Sequence, residues 1–259
     1  MKAGGARAGA RATCHSTAAH VSVIVPAFNE EQGLAASLRS IRQAMEVLDA
    51  AGWTSELIVC DNNSTDRTAE IAREAGAHVV FEPINQISRA RNAGAALAHG
   101  EWLIFVDADS HPSTGLFGNV LRVFQSGRAI AGGSTLCFDT PDLLMASMAW
   151  IWNTISRCTQ WAAGSFIFCE AAAFRDVGGF SHELYATEEI DLFRRLKRLA
   201  RRRARTVEIL RGHPLRTSAR KVHLYTWREA LRFLGRTIAG RGRTLRSAEE
   251  CFSWYDGRR

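Results

Sequence analysis

The 259-residue chain has no stretch of 18 uninterrupted apolar residues; its nearest approach, residues 143–168, is broken by Asn153, Arg157 and Gln160. A membrane-spanning helix is therefore not expected. Six cysteines (Cys14, Cys60, Cys137, Cys158, Cys169 and Cys251) include no Cys-x-x-Cys pair and no regular spacing. That argues against a zinc site or a disulfide framework and leaves a reduced, cytoplasmic setting as the expectation. Residues 1–20 are rich in Ala, Gly and Arg but lack the apolar core of a secretory signal, so they read as a disordered leader. No internal repeat occurs, and no linker interrupts the pattern before about Ala204.

Charge is plentiful but segregated. Residues 1–193 carry a net −8 and residues 194–259 a net +15, within an overall +7. An acidic body with a basic last quarter points to an anionic partner for that quarter. There, Trp227, Ala230, Leu231, Leu234 and Ile238 fall on one helical face, and Arg228, Arg232 and Arg236 on another. Such a helix either packs on the body with its basic face solvated or lies on an anionic membrane. The aromatic helix near 148–161 is likewise either core or membrane contact.

What the chain does contain is a regular alternation of strands and helices. Residues 21–25 form an apolar run stopped by Pro26, after which Leu34, Leu38, Ile41, Met45 and Leu48 recur at helical spacing. A strand over 57–60 runs into the polar turn 61–66, where Thr65 or Asp66 suits the N-cap of a helix over 68–75. Strands over 78–81 and 102–106 flank a helix around 86–98. This β-α-β-α-β-α-β rhythm implies a largely parallel sheet with helices on both faces. Strands at 129–138 and 165–169, a helix over 143–161 and a helix capped by Thr187 continue the pattern.

Asp107-Ala108-Asp109 stands at the C-terminal end of the 102–106 strand, where open α/β sheets bind their ligands. Two carboxylates one residue apart repel, and in a cleft they call for a shared cation. Mg²⁺ or Mn²⁺ suits them, with diphosphate oxygens completing the shell. An Asp-x-Asp triplet also occurs in ordinary surface turns, so the weight comes from its context.

Three further polar clusters stand at element ends: Asn29-Glu30, Asp61 and Glu188-Glu189-Ile190-Asp191. With their flanks, VSVIVPAFNEEQGL, ELIVCDNNSTDRTAEIA, ISRARNAGAALAHGEWLIFVDADS and GSFIFCEAAAFRDVGGFSHELYATEEIDLFRRL, they resemble a family 2 glycosyltransferase of the GT-A fold, in that family's order and spacing over about 21–196. The resemblance implies a GT-A-like, mostly parallel mixed sheet flanked by helices over 21–203. A basic helical extension over 204–259 would pack on it. It also implies metal-dependent, inverting transfer from a nucleotide-sugar donor to a hydroxyl of a glycan or lipid-linked acceptor, with Mn²⁺ or Mg²⁺ as cofactor.

On that resemblance Pro26, Asn29, Glu30 and Asp61 line the nucleoside pocket, where a carboxylate can accept from a base N–H or ribose hydroxyl. Arg91-Asn92 lies near the diphosphate, which arginine can bridge with paired hydrogen bonds. Asp107 and Asp109 serve metal and ribose, with Asp109 the better ligand. Gly164-Ser165 matches a glycine loop near the acceptor. Family members often carry Glu-Asp-x-Asp where this chain has Glu188-Glu189-Ile190-Asp191. Glu189 thus stands in the usual place of the base, one methylene longer, with Glu188 and Asp191 as alternatives. Acids in a helix's first turn also complement its dipole without any catalytic purpose. The family sometimes supplies a C-terminal histidine to the metal; His213 and His223 are the candidates, His213 the preferred one.

Two other classes fit the sequence less well. A nucleotidyltransferase would want a glycine- and lysine-rich phosphate loop after the first strand, and there is none. A nucleic-acid-binding protein could use the basic quarter, but that quarter lacks a recognised reading motif and the acidic clusters would stand unexplained. The expected partners are therefore a nucleotide-sugar, an acceptor and a peripheral contact with the inner membrane face, not a nucleic acid.

Overall fold

Alternation along one strand sets up both layers of the molecule. In β1 (His20–Ala27), Val21, Val23 and Val25 face one layer and Ile24 the other, all fully buried. The computed structural model describes residues 20–219. After β1 come α1 (Leu34–Ala50), β2 (Thr54–Asp61), α2 (Thr68–Glu74), β3 (His78–Phe81), α3 (Ile87–Leu97), β4 (Trp102–Val106) and β5 (Ser110–His111). Then follow α4 (Thr114–Ser126), β6 (Ala129–Phe138), α5 (Leu143–Thr159), β7 (Phe166–Glu170), α6 (Ala171–Asp176), α7 (Glu188–Arg202) and β8 (Thr206–Thr217).

The strands form one sheet in the order β3-β2-β1-β4-β7-β6-β8-β5. β3, β2, β1 and β4 are parallel, as the β-α-β rhythm predicts. β7 is inserted antiparallel between β4 and β6, and β8 runs parallel to β6. The valine face of β1 packs on Leu34, Leu38 and Ile41 of α1 and on Leu116, Phe117 and Val120 of α4. The opposite face packs Ile24, Ile58 and Phe105 on Phe174 of α6 and on Leu192, Phe193 and Leu196 of α7. Cys60 and Cys169 sit in this sheet as small apolar groups, burial pushing the Cys60 thiol up to about 12.

Three features depart from expectation. β1 continues through Pro26 instead of stopping there. Ala27 accepts from the Asn62 N–H on the β2 side, so the Pro26 nitrogen faces the other edge, where pairing with β4 has already ended at Ile24. A missing N–H at that place leaves no ladder bond unmade. Second, the expected boundary at 203/204 falls inside the folded body, because β8 is an integral strand with Val207, Leu210 and Leu215 buried. Third, α4 stands where no helix was anticipated, capped by the Ser113 hydroxyl on Leu116 N–H and closed by Gly127 at φ +62°. The basic amphipathic stretch 227–238 and His223 lie outside the described residues.

Candidate active site

The C-terminal ends of β1, β2 and β4 open on one side of the sheet, and the polar clusters gather there. Gly94 lets α3 approach closely: a β-carbon on it would stand 2.4 Å from a methyl of Ile24. This close packing presses the preceding turn of α3, and with it Arg91, into the interior.

Arg91 is 1% exposed and organises the site. Its Nη1 donates to Glu188 at 2.7 Å, and its Nη2 donates to Asp107 at 2.9 Å and to the Gly164 carbonyl at 2.8 Å. The guanidinium also lies over the Phe180 ring, 5.1 Å from its centroid. Gly164 is small for this reason, since a β-carbon there would be 3.1 Å from Arg91 Nη2 and 3.7 Å from the Glu189 carboxyl carbon. The Ser165 carbonyl accepts from the Asp107 N–H at 3.2 Å, fixing the Asp-x-Asp turn. One buried cation thereby ties three segments distant in sequence.

Glu188 and Glu189 open α7. Thr187 precedes them with φ +63° and gives no side-chain cap, so the expected hydroxyl cap is absent; its carbonyl instead accepts from the Ile190 and Asp191 N–H groups. A β-branched residue in the left-handed region costs about 1–3 kcal/mol and marks a place where the surroundings impose the backbone. Glu189 is partly covered as a residue, yet its carboxyl end is enclosed. Desolvation first, and the neighbouring Glu188 charge second, raise it from an ordinary 4.5 to about 8.

The other sequence candidates take varied places. Asp61 is buried and accepts from Ser64 N–H at 3.1 Å, while Asn29, at φ +50°, accepts from Thr65 N–H at 2.8 Å; together they shape the loop after β2. Glu30 is buried beside them, its N–H on the Thr68 hydroxyl. The N-cap of α2 is Arg67, not Thr65 or Asp66 as expected; Asp66 stands one residue before it and accepts from Thr68 N–H. Pro26 is buried at the end of β1.

Asn92 does not face this opening. It clasps the 180–182 turn, exchanging hydrogen bonds with both backbone groups of Phe180 and meeting His182. Gly179 in that turn has φ +65° and would bring a β-carbon within 2.7 Å of the Asn92 oxygen. Asp191 is also turned elsewhere, paired with Arg195 at 2.7 Å; Arg195 in turn holds the Val177 and Gly179 carbonyls.

His213 lies on β8. Its ring packs on Gly115, 2.6 Å from where a β-carbon would be, whereas the segment touching Asp109 is Ser218, whose N–H donates to the Asp109 carbonyl. Among the described residues no group of three His, Cys, Asp or Glu side chains is disposed to hold a metal. Two partly exposed carboxylates nevertheless fit a hard divalent ion that keeps waters and takes substrate phosphates.

Sequence reading missed Gln86 and His111. Gln86 is buried, donating to the His182 and Leu184 carbonyls and anchoring the loop before α7. His111 follows Asp109 by two residues, and burial and Arg216 lower its pKa. Its place next to the Asp-x-Asp motif was the available signal.

A family model described as glycosyl transferase family 2 matches residues 22–177. The chain belongs to that family. An uncharacterised glycosyltransferase of Mycobacterium tuberculosis is 34% identical over 113 residues, 44% of this chain and 47% of the relative. The 4,4'-diaponeurosporenoate glycosyltransferase of Staphylococcus haemolyticus is 42% identical over 101 residues, covering 36% of this chain and 25% of that protein. The chain thus spans under half of these relatives. A mannosyltransferase of Pyrobaculum calidifontis, solved with GDP-Man and Mn²⁺, superposes with a TM-score of 0.61 at 18% identity, over 84% of this chain and 61% of that one. TarS of S. aureus with UDP-GlcNAc gives 0.60 at 19% identity, over 77% and 58%. The architecture is the GT-A fold that these solved structures share.

Proposed function

We propose that this family 2 member transfers a sugar from a nucleotide-diphosphate sugar to an acceptor hydroxyl, with inversion at the anomeric carbon. The observation that carries the reading is the convergence of Asp107, Gly164, Glu188 and Glu189 around Arg91 at the end of β4. Pro26, Asn29, Glu30 and Asp61 form the nucleoside side. Asp107 and Asp109 would hold Mn²⁺ or Mg²⁺, which supplies charge neutralisation to the departing diphosphate. Relatives solved with GDP-Man and Mn²⁺ or with UDP-GlcNAc support such a donor.

Glu189 is the base. As the acceptor oxygen forms its bond to the anomeric carbon, the bond to the diphosphate breaks on the opposite side, and the hydroxyl proton passes to the Glu189 carboxylate. A carboxylate lifted towards neutrality is a stronger base than an ordinary one. Arg91 and Glu188 act as positioning residues, holding Asp107, the Gly164 loop and the start of α7 in register. Gly164 and Ser165 leave backbone room for the acceptor.

The test is turnover of radiolabelled UDP- and GDP-sugars with Mn²⁺, in wild type and Glu189→Gln. Consumption of one donor, lost in the variant, supports the reading; no consumption of any donor by folded wild type contradicts it.

A further inference from the structure

Helix α5 has 17 residues and a single charged side chain, Arg157. Met145, Ala149 and Ser156 face the body, whereas Leu143, Leu144, Met148, Trp150, Ile151 and Ile155 are exposed, Leu143 to 86% and Trp150 to 67%. Only three other large apolar side chains among the described residues are exposed, so this is a concentrated patch and not scatter.

The flank of the patch shows what chemistry it meets. Arg122, Arg128, Arg157 and Arg211 line a cavity of about 640 Å³ in which Glu208 is the one acid. None of these four arginines has an ion-pair partner among the described residues. Arg157 and Arg211 also line an adjoining groove of about 500 Å³, with Trp150, Leu136, Phe138 and Pro214. Unneutralised arginines bordering an apolar, tryptophan-bearing ridge match an anionic lipid surface, where apolar side chains enter the acyl boundary and guanidinium groups reach headgroup phosphates.

Position connects this surface to the site. α5 starts just beyond β6, where Asp139 N–H donates to the Thr217 carbonyl, and the next residue, Ser218, donates to the carbonyl of Asp109. The patch therefore begins at the end of the sheet that carries the Asp-x-Asp motif.

We infer that α5 is an interfacial docking helix that seats the chain on an anionic membrane leaflet, with Arg157 and Arg211 on headgroup phosphates. Its consequence for the acceptor rests on the transferase reading above: the hydroxyl attacked belongs to a lipid held in that leaflet.

The experiment is flotation of the full chain with phosphatidylcholine vesicles, with and without phosphatidylglycerol. Mn²⁺-dependent nucleotide binding is measured on the same samples. Wild type floats with the phosphatidylglycerol vesicles. Trp150→Glu with Ile151→Glu weakens that binding about tenfold or more, with circular dichroism and nucleotide binding unchanged. Arg157→Gln with Arg211→Gln removes the preference for phosphatidylglycerol. Flotation undiminished in the glutamate pair would overturn the inference and assign the binding to residues 220–259. Wild type that fails to float, or that sediments as a dimer split by the glutamate pair, would overturn it in favour of self-association. Flotation without nucleotide binding would defeat the transferase reading alone and leave the docking helix standing.

Discussion

Arg91 Nη1 lies 2.7 Å from Glu188, a buried pair joining side chains 97 positions apart. Because the same guanidinium also holds the half-buried Asp107, removing it strands the buried Glu188 and takes one partner from Asp107. Arg91→Met is expected to destabilise the fold by about 3–5 kcal/mol. Arg91→Lys should fall between, since an ammonium cannot hold three acceptors in the guanidinium's fork geometry. Urea midpoints measure both, and a Met variant as stable as wild type would refute the organising role.

Glu189 and Asp191 sit one turn apart or less but differ in employment. Asp191 is committed to Arg195 and is over a third exposed, so Asp191→Asn costs at most about 1 kcal/mol and leaves kcat near wild type. Glu189→Gln lowers kcat by about 10²–10⁴-fold. Steady-state kinetics on the two variants decide between them, and the reverse ranking would move the base to Asp191.

The raised Glu189 carboxyl also sets two pH dependences. The groups that face it are Glu188 and Asp107, which raise it together with burial, and Arg91, which opposes them. Activity through the ionised form makes kcat/KM climb with pH to a plateau beyond about 8. For stability the sign is opposite. The folded value is above the unfolded one, so the contribution is full below about 4.5 and is lost as pH rises through about 8. Glu189→Gln should therefore be more stable than wild type above pH 8 and indistinguishable from it at low pH. Thermal melts across pH check this.

The parallel half of the sheet was legible because its strands carry apolar stretches, as in β4, and α1 repeats Leu34, Leu38 and Ile41 at helical spacing. β8 was not, because Arg211 and Arg216 within it, and Arg205 just before it, disguise a strand whose buried apolar positions are Val207, Leu210 and Leu215. Part of that basic run is structural: Arg205 donates to Glu170 at 2.6 Å, and Arg203 pairs with Asp176. The site's acids could be read from their places at strand ends. The role of Arg91 could not, since its partners come from α7 and from the β4 and β7 ends, and only the tertiary fold brings these together. Asn92 and Asp191 likewise owe their roles to the 178–182 turn, which the tertiary fold brings against them.

The most direct measurement is calorimetric titration of UDP-GlcNAc and GDP-Man into the protein with and without Mn²⁺, using wild type, Asp109→Asn and His213→Ala. The account predicts that one of the two binds with Mn²⁺ present, that Asp109→Asn abolishes this binding, and that His213→Ala retains it. Binding that ignores both Mn²⁺ and Asp109, or none by folded wild type, would contradict a metal-dependent donor site at the end of β4.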